Sequence, residues 1–145
     1  MAQLQTAYRN TDIQTAPQSR LIIMLYDGAI RSAQEAVRLM DSRKYDEVNN
    51  HLIRAQEIVN ELRASLNMKA GEVAVNLDRI YEYVQHQLMM GNVRKDKTCV
   101  ESCIRIMKDL RDTWKELFDR MPQEEIPREH LVANPRDGGG LNLRG

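Results

Sequence analysis

The sequence predicts an all-α protein, an antiparallel up-down four-helix bundle with a mobile N-terminal segment and a disordered C-terminal tail. Two observations carry that prediction. Apolar residues recur at steps of three or four along four separate stretches, each about five turns long. Short links separate the stretches, and nowhere does the period-two alternation of a strand appear.

The chain starts with residues 1–14, polar and without sustained period, expected as a mobile segment carrying two lone apolar residues, Tyr8 and Ile13. Thr15-Ala16-Pro17-Gln18 is a helix start, with Thr15 able to cap and Gln18 able to answer three residues on. The first helix runs from Gln18 to about Met40 with the stripe Leu21, Leu25, Ala29, Ala33, Ala36 and Met40. Ile22, Ile23, Tyr26 and Ile30 fall beside or opposite it, so this helix is apolar over more of its girth than one contact needs. The second helix spans about Arg43 to Asn67 on Tyr45, Val48, Leu52, Ala55, Val59, Leu62 and Leu66, and Met68 to Gly71 connects it onward. The third spans about Glu72 to Met90 on Val73, Leu77, Ile80, Val84 and Leu88, with Gly91-Asn92 as its stop. The fourth runs from near Asp96 to Arg120 on Val100, Cys103, Met107, Leu110, Trp114, Leu117 and Met121, and Pro122 ends it. The bundle domain is thus expected over 15–121. Residues 122–145, with three prolines and Gly138-Gly139-Gly140, read as a disordered tail.

Composition narrows the function. Lys plus Arg and Asp plus Glu are both 21, so no basic excess is present to neutralise phosphates, and a nucleic-acid partner is not expected. No apolar run matches a membrane span and no signal-peptide pattern opens the chain, so a soluble cytoplasmic protein without membrane insertion is expected. Cys99 and Cys103 lie four apart on one helix, a spacing poorly suited to a disulfide, and read as structural thiols. His51, His86 and His130 fall on the second helix, the third helix and the tail, and no Glu-x-x-His pair occurs. Neither metal nor other cofactor is expected. There is no phosphate-cradling loop and no nucleophile–base pair, so the chain reads as a non-enzyme. One sharper alternative is a histidine phosphotransfer bundle, through a faint likeness around His86, but Met89 stands where that pattern has lysine.

By elimination, function lies in binding. The surplus apolar residues of helix one (Ile22, Ile23, Tyr26, Ile30), together with Tyr81 and Tyr83 and then Met89 and Met90 of helix three, would form a groove for an amphipathic helix. Tyr8 and Ile13 are placed to fold back over it. Gly28 interrupts a strongly helical segment at a cost of roughly 1 kcal/mol. The expected offset is close approach by a neighbouring bundle helix, with Tyr26 and Ile30 facing outward beside it.

Several segments carry a family resemblance. Ala7-Tyr8, Thr15-Ala16-Pro17-Gln18, Met24-Leu25-Tyr26-Asp27-Gly28-Ala29-Ile30, Asn76-Leu77, Ile80-Tyr81-Glu82-Tyr83-Val84, Leu88 before Gly91-Asn92, and Leu110-Arg111-Asp112-Thr113-Trp114-Lys115 occur in order. Over roughly residues 7–118 the chain resembles the FliS family of flagellar secretion chaperones. The resemblance implies a cytoplasmic chaperone that binds the C-terminal segment of flagellin, prevents premature polymerisation and hands the subunit to the flagellar type III export gate. It also implies that Tyr8 and Ile13 belong to a mobile segment able to occupy the groove, and that Tyr26, Asn76, Tyr81, Tyr83 and Asn92 match family positions around the client surface. Gly91 stands where the family often has alanine, which suggests an early end to helix three. Weak self-association through the groove stays open, as does docking of Leu141-Asn142-Leu143 there as a client mimic.

Overall fold

The structure, a computed structural model, describes residues 18–120. Four helices carry it: α1 (Gln18–Asp41), α2 (Tyr45–Ala64), α3 (Glu72–Arg94) and α4 (Lys97–Arg120), with a 3-10 turn at Met68–Ala70 between α2 and α3. Each helix packs on its neighbour in sequence, and α4 closes the ring against α1. Side-chain partners show that neighbours run antiparallel. Between α2 and α3, Asn49 meets Asn92, the Gln56 carbonyl meets Gln85, and Arg63 meets Asp78. Between α1 and α4, Asp27 meets Arg111 and Asp41 meets Lys97. The described residues form the expected all-α four-helix bundle. The expected segment 1–14, with Tyr8 and Ile13, and the tail 122–145 lie outside them.

Helix ends show why two boundaries differ from the pattern reading. At the end of α1 the Lys44 amide donates to the Leu39 carbonyl at 3.2 Å and the Arg43 amide to Met40 at 3.1 Å. Arg43 takes the left-handed conformation, φ 57°, that glycine usually supplies at such a stop. The end of α3 repeats this arrangement. Lys95 is left-handed, φ 52°, its amide donates to Asn92, and the Asp96 amide donates to Gly91 at 2.8 Å. The expected stop at Gly91-Asn92 is therefore corrected: α3 continues to Arg94. Gly91 serves packing instead. A Cβ there would lie 2.8 Å from Val100 Cγ2, so its absence lets α4 approach α3. At the opposite pole α2 stops at Ala64, short of Asn67, whose side chain accepts from the Lys69 amide and caps the 3-10 turn. Gly71 follows at φ 108°, a backbone state that side chains disfavour.

The core sits where the four stripes meet. Leu21, Leu25, Ala29, Ala33, Val48, Leu52, Ala55, Val59, Val84, Leu88, Val100, Cys103 and Met107 are all buried, as the spacing predicts. On α3 the buried stripe is Ala74, Leu77, Tyr81, Val84, Leu88 and Gly91. It is rotated from the expected one, which had Val73 and Ile80 inward and Tyr81 beside it. Val73 is exposed, as are Tyr45 and Leu117, at the ends of their helices where the ring of neighbours opens to solvent.

Candidate functional site

Helix α1 presents a wide apolar face, and the bundle buries most of it, with Ile23 and Val37 left half-buried. Ile22, Tyr26 and Ile30 are buried together with the inner stripe. The expectation that Tyr26 and Ile30 face outward, as part of an uncovered surplus, is corrected. The reason is a polar contact at the heart of the bundle. The Tyr26 and Tyr81 hydroxyls hydrogen-bond each other across the α1–α3 diagonal, and the Trp114 indole N–H donates to Tyr26 Oη at 3.1 Å. The two tyrosine rings tilt at 50° with centroids 6.3 Å apart. An unpaired buried hydroxyl is costly, so the three side chains satisfy one another and tie α1, α3 and α4 together. Desolvation raises the Tyr26 hydroxyl pKa from 10.0 to about 12, partly offset by the bonds from Tyr81 and Trp114. Tyr81 is also pushed well up, again by burial first.

Asn92 also faces inward. Its amide donates to Asn49 Oδ1 at 2.8 Å, and Lys95 Nζ donates to its carbonyl and side-chain oxygens at 2.8 and 2.6 Å. It locks the α3–α4 turn onto the start of α2, a role for the fold that contact spacing alone does not reveal.

An exposed apolar groove lies between α3 and α4. Arg79, Ile80, Tyr83, Ile106, Asp109 and Leu110 line a groove of about 420 Å³. Ile80, Ile106 and Leu110 are half-buried against the core, and Tyr83 is 51% exposed. Asn76 is exposed one turn before Ile80, so Asn76, Ile80, Tyr83 and Gln87 form one line along α3 at steps of four, three and four. Of the expected partner residues, the structure thus brings Asn76 and Tyr83 onto one groove line. Ile22, Tyr26, Ile30, Tyr81 and Asn92 go to the interior, and Tyr8 and Ile13 lie outside the described residues. Ile80 and Leu110, read as core, form the groove floor with Ile106. The signal was available in the line of residues flanking the α3 stripe, but fixing the rotation of that stripe required knowing that Tyr81 finds a buried partner.

Chemistry elsewhere is quiet. Among the described residues no three His, Cys, Asp or Glu side chains gather as a metal-binding group. Cys103 is buried and its thiol is pushed up to about 12 by desolvation, chiefly, and by the neighbouring Cys99. The half-buried Cys99 is also raised, by burial first and then by Asp96, and its Sγ bonds Gln87 Oε1 at 2.8 Å. Thiols held protonated in this way are poor nucleophiles. His86 is exposed on α3, and the helix continues two turns beyond it; Met89 still stands where the phosphotransfer pattern has lysine. No helix among the described residues is long and apolar enough to cross a membrane.

Known proteins agree with this architecture. A crystal structure of a flagellar chaperone from bacteria superposes with a TM-score of 0.68 at 19% identity, covering 83% of this chain and 98% of that one. The flagellar secretion chaperone FliS of Escherichia coli (strain K12) is 31% identical over 106 residues, 72% of this chain and 78% of its own length. The flagellar secretion chaperone FliS of Bacillus subtilis (strain 168) is 29% identical over 111 residues, 77% of this chain and 83% of its own. The family model described as flagellar protein FliS matches residues 1–121, so the chain belongs to the FliS family of flagellar secretion chaperones.

Proposed function

We propose that this protein is a cytoplasmic export chaperone for flagellin. It holds the C-terminal segment of flagellin on the α3–α4 groove, prevents premature polymerisation and delivers the subunit to the flagellar export gate. One observation carries the reading: in a chain of this family, the exposed apolar groove is bounded by the rigid core of α3 and α4 and lined by Ile80, Tyr83, Ile106 and Leu110. An amphipathic helix inserts its apolar side chains into such a groove, while Arg79 and Asp109 at the rim meet its polar flanks. A client segment that orders on binding loses a few kcal/mol of the gross interaction energy to that ordering, so the complex is specific and still reversible. No reaction is required for capture or release.

The test is titration of a flagellin C-terminal peptide into the full chain and into a chain lacking residues 1–14, which removes self-blocking by Tyr8 and Ile13. Micromolar binding is expected, tighter in the shortened chain. Ile106→Asp and Tyr83→Ala should each weaken it at least about tenfold, because charge or lost area at a hot spot costs over 1 kcal/mol. Tyr83→Ala should melt close to the parent, since Tyr83 is half exposed, whereas Ile106→Asp sets a charge against the core and should melt lower, so Tyr83→Ala separates binding from stability. Absence of binding by the shortened chain, or binding indifferent to both substitutions, overturns the reading.

A further inference from the structure

The face opposite the α3–α4 groove carries a second cleft, of different chemistry. It lies between α1 and α2 and encloses about 580 Å³. At one end the charges are matched: Glu35 hydrogen-bonds Arg38, His51 lies near Glu35, and Glu47 lies near Arg38. At the other end they are not. Arg31 and Arg54 both line the cleft, both are exposed, and among the described residues neither enters an ion pair. Between these arginines and the helix backbone the floor is made by Gly28 and Ile58.

Gly28 makes this floor unusual. A Cβ at Gly28 would lie 3.4 Å from Ile58 Cδ1, ordinary contact, so packing between α1 and α2 does not demand glycine there. The helix still bears the conformational cost of glycine in its interior. What the missing side chain does leave is a shallow apolar floor flanked by two unmatched guanidinium groups. Guanidinium is weakly hydrated and takes carboxylates in forked pairs.

We propose that the α1–α2 cleft is a second docking surface, taking an acidic protein segment whose carboxylates meet Arg31 and Arg54 while a small or aliphatic side chain rests on Gly28 and Ile58. A free anion would use the charges and leave the floor empty. Nucleic acid is disfavoured because Glu35 lines the same cleft and Glu47 lies near its Arg38. Since α1–α2 and α3–α4 form opposite faces of the ring, this partner binds without displacing a client from the other groove.

The test uses the full chain, isotopically labelled, and follows backbone amide shifts. Three probes are titrated: a blocked helical peptide of Glu, Ala and Leu, its counterpart with Gln for every Glu, and inorganic phosphate. The Glu peptide should shift Gly28, Arg31, His51 and Arg54 and leave Ile80 and Tyr83 unmoved. The double variant Arg31→Gln with Arg54→Gln should weaken it about tenfold, as loss of two charge pairs implies. Gly28→Leu, which fills the floor, should weaken it while preserving the fold, checked by an unchanged helical spectrum. Equal binding of the Gln peptide, equal shifts from phosphate alone (an adventitious ion only), or shifts confined to the α3–α4 groove each overturn the proposal. Should Gly28→Leu unfold, the arginine variant decides by itself.

Discussion

Gly28 and Gly91 occupy helix interiors for opposite reasons, and substitution by alanine separates them. At Gly91 the added Cβ meets Val100 at 2.8 Å on the facing helix. Gly91→Ala must therefore push α3 and α4 apart, and thermal melting should show a loss of roughly 1–3 kcal/mol, the usual cost of overpacking. At Gly28 the same change meets only an ordinary contact. Gly28→Ala should raise stability by about 0.4–1 kcal/mol, through a less flexible unfolded chain. The buried Tyr26 makes a prediction about pH. Its hydroxyl keeps its proton in the folded protein up to about 12, whereas in the unfolded chain it ionises from 10.0. Above pH 10 the unfolded state therefore binds fewer protons than the folded one, and stability falls with pH until the folded pKa is passed. Denaturant melts between pH 9 and about 12 should show that decline, and Tyr26→Phe should make it shallower without abolishing it, because the buried Tyr81 hydroxyl is raised as well. At neutral pH the same variant should be less stable by roughly 1–3 kcal/mol, because the Trp114 N–H loses its acceptor.

At the scale of elements, both turns at one pole close on a left-handed basic residue, Arg43 after α1 and Lys95 after α3. This is why pattern reading misplaced the end of α3. It expected the stop at the glycine, and the glycine was spent on close packing four residues earlier. Lys95 recovers part of its strain by bonding the carbonyl and side chain of Asn92. Among the described residues Arg43 has no such bond, so Arg43→Gly is the cleaner test. It should stabilise the bundle by about 0.5–1 kcal/mol, since glycine adopts the left-handed state without a Cβ clash. Unchanged or lowered stability on chemical denaturation would mean the turn gains from arginine in some other way. Helix boundaries set by tertiary contact are least visible to local pattern, whereas the 3-4 spacing of apolar residues placed all four helices on the correct stretches.

For the whole molecule, the family match ends at residue 121, one position past the described end of α4. We propose the bundle as the folding unit and residues 122–145 as an appendage to it. A chain ending at residue 121 should melt within about 2 °C of the full chain, less than a 1 kcal/mol change would produce. Its affinity for the flagellin peptide tests the tail separately: an unchanged value removes Leu141-Asn142-Leu143 as a client mimic. Tyr8→Ala should likewise leave melting unaltered while changing the rate of client exchange, because Tyr8 is read as a groove cap outside the core.

The sequence by itself determined the helix count, the bundle architecture, most of the core and, by resemblance, the family. Those properties repeat along each helix, so every turn restates them and single ambiguous residues do little harm. Only the tertiary structure decided which flank of each stripe is covered. Tyr26, Tyr81 and Trp114 are far apart in the chain, and nothing local shows that they satisfy one another in the interior. Their bonds place Tyr81 inside, which leaves Tyr83 and Ile80 at the α3–α4 groove. Local pattern shows how much apolar surface a helix carries. Which neighbour covers it depends on where polar groups find partners, and that is a property of the assembled bundle.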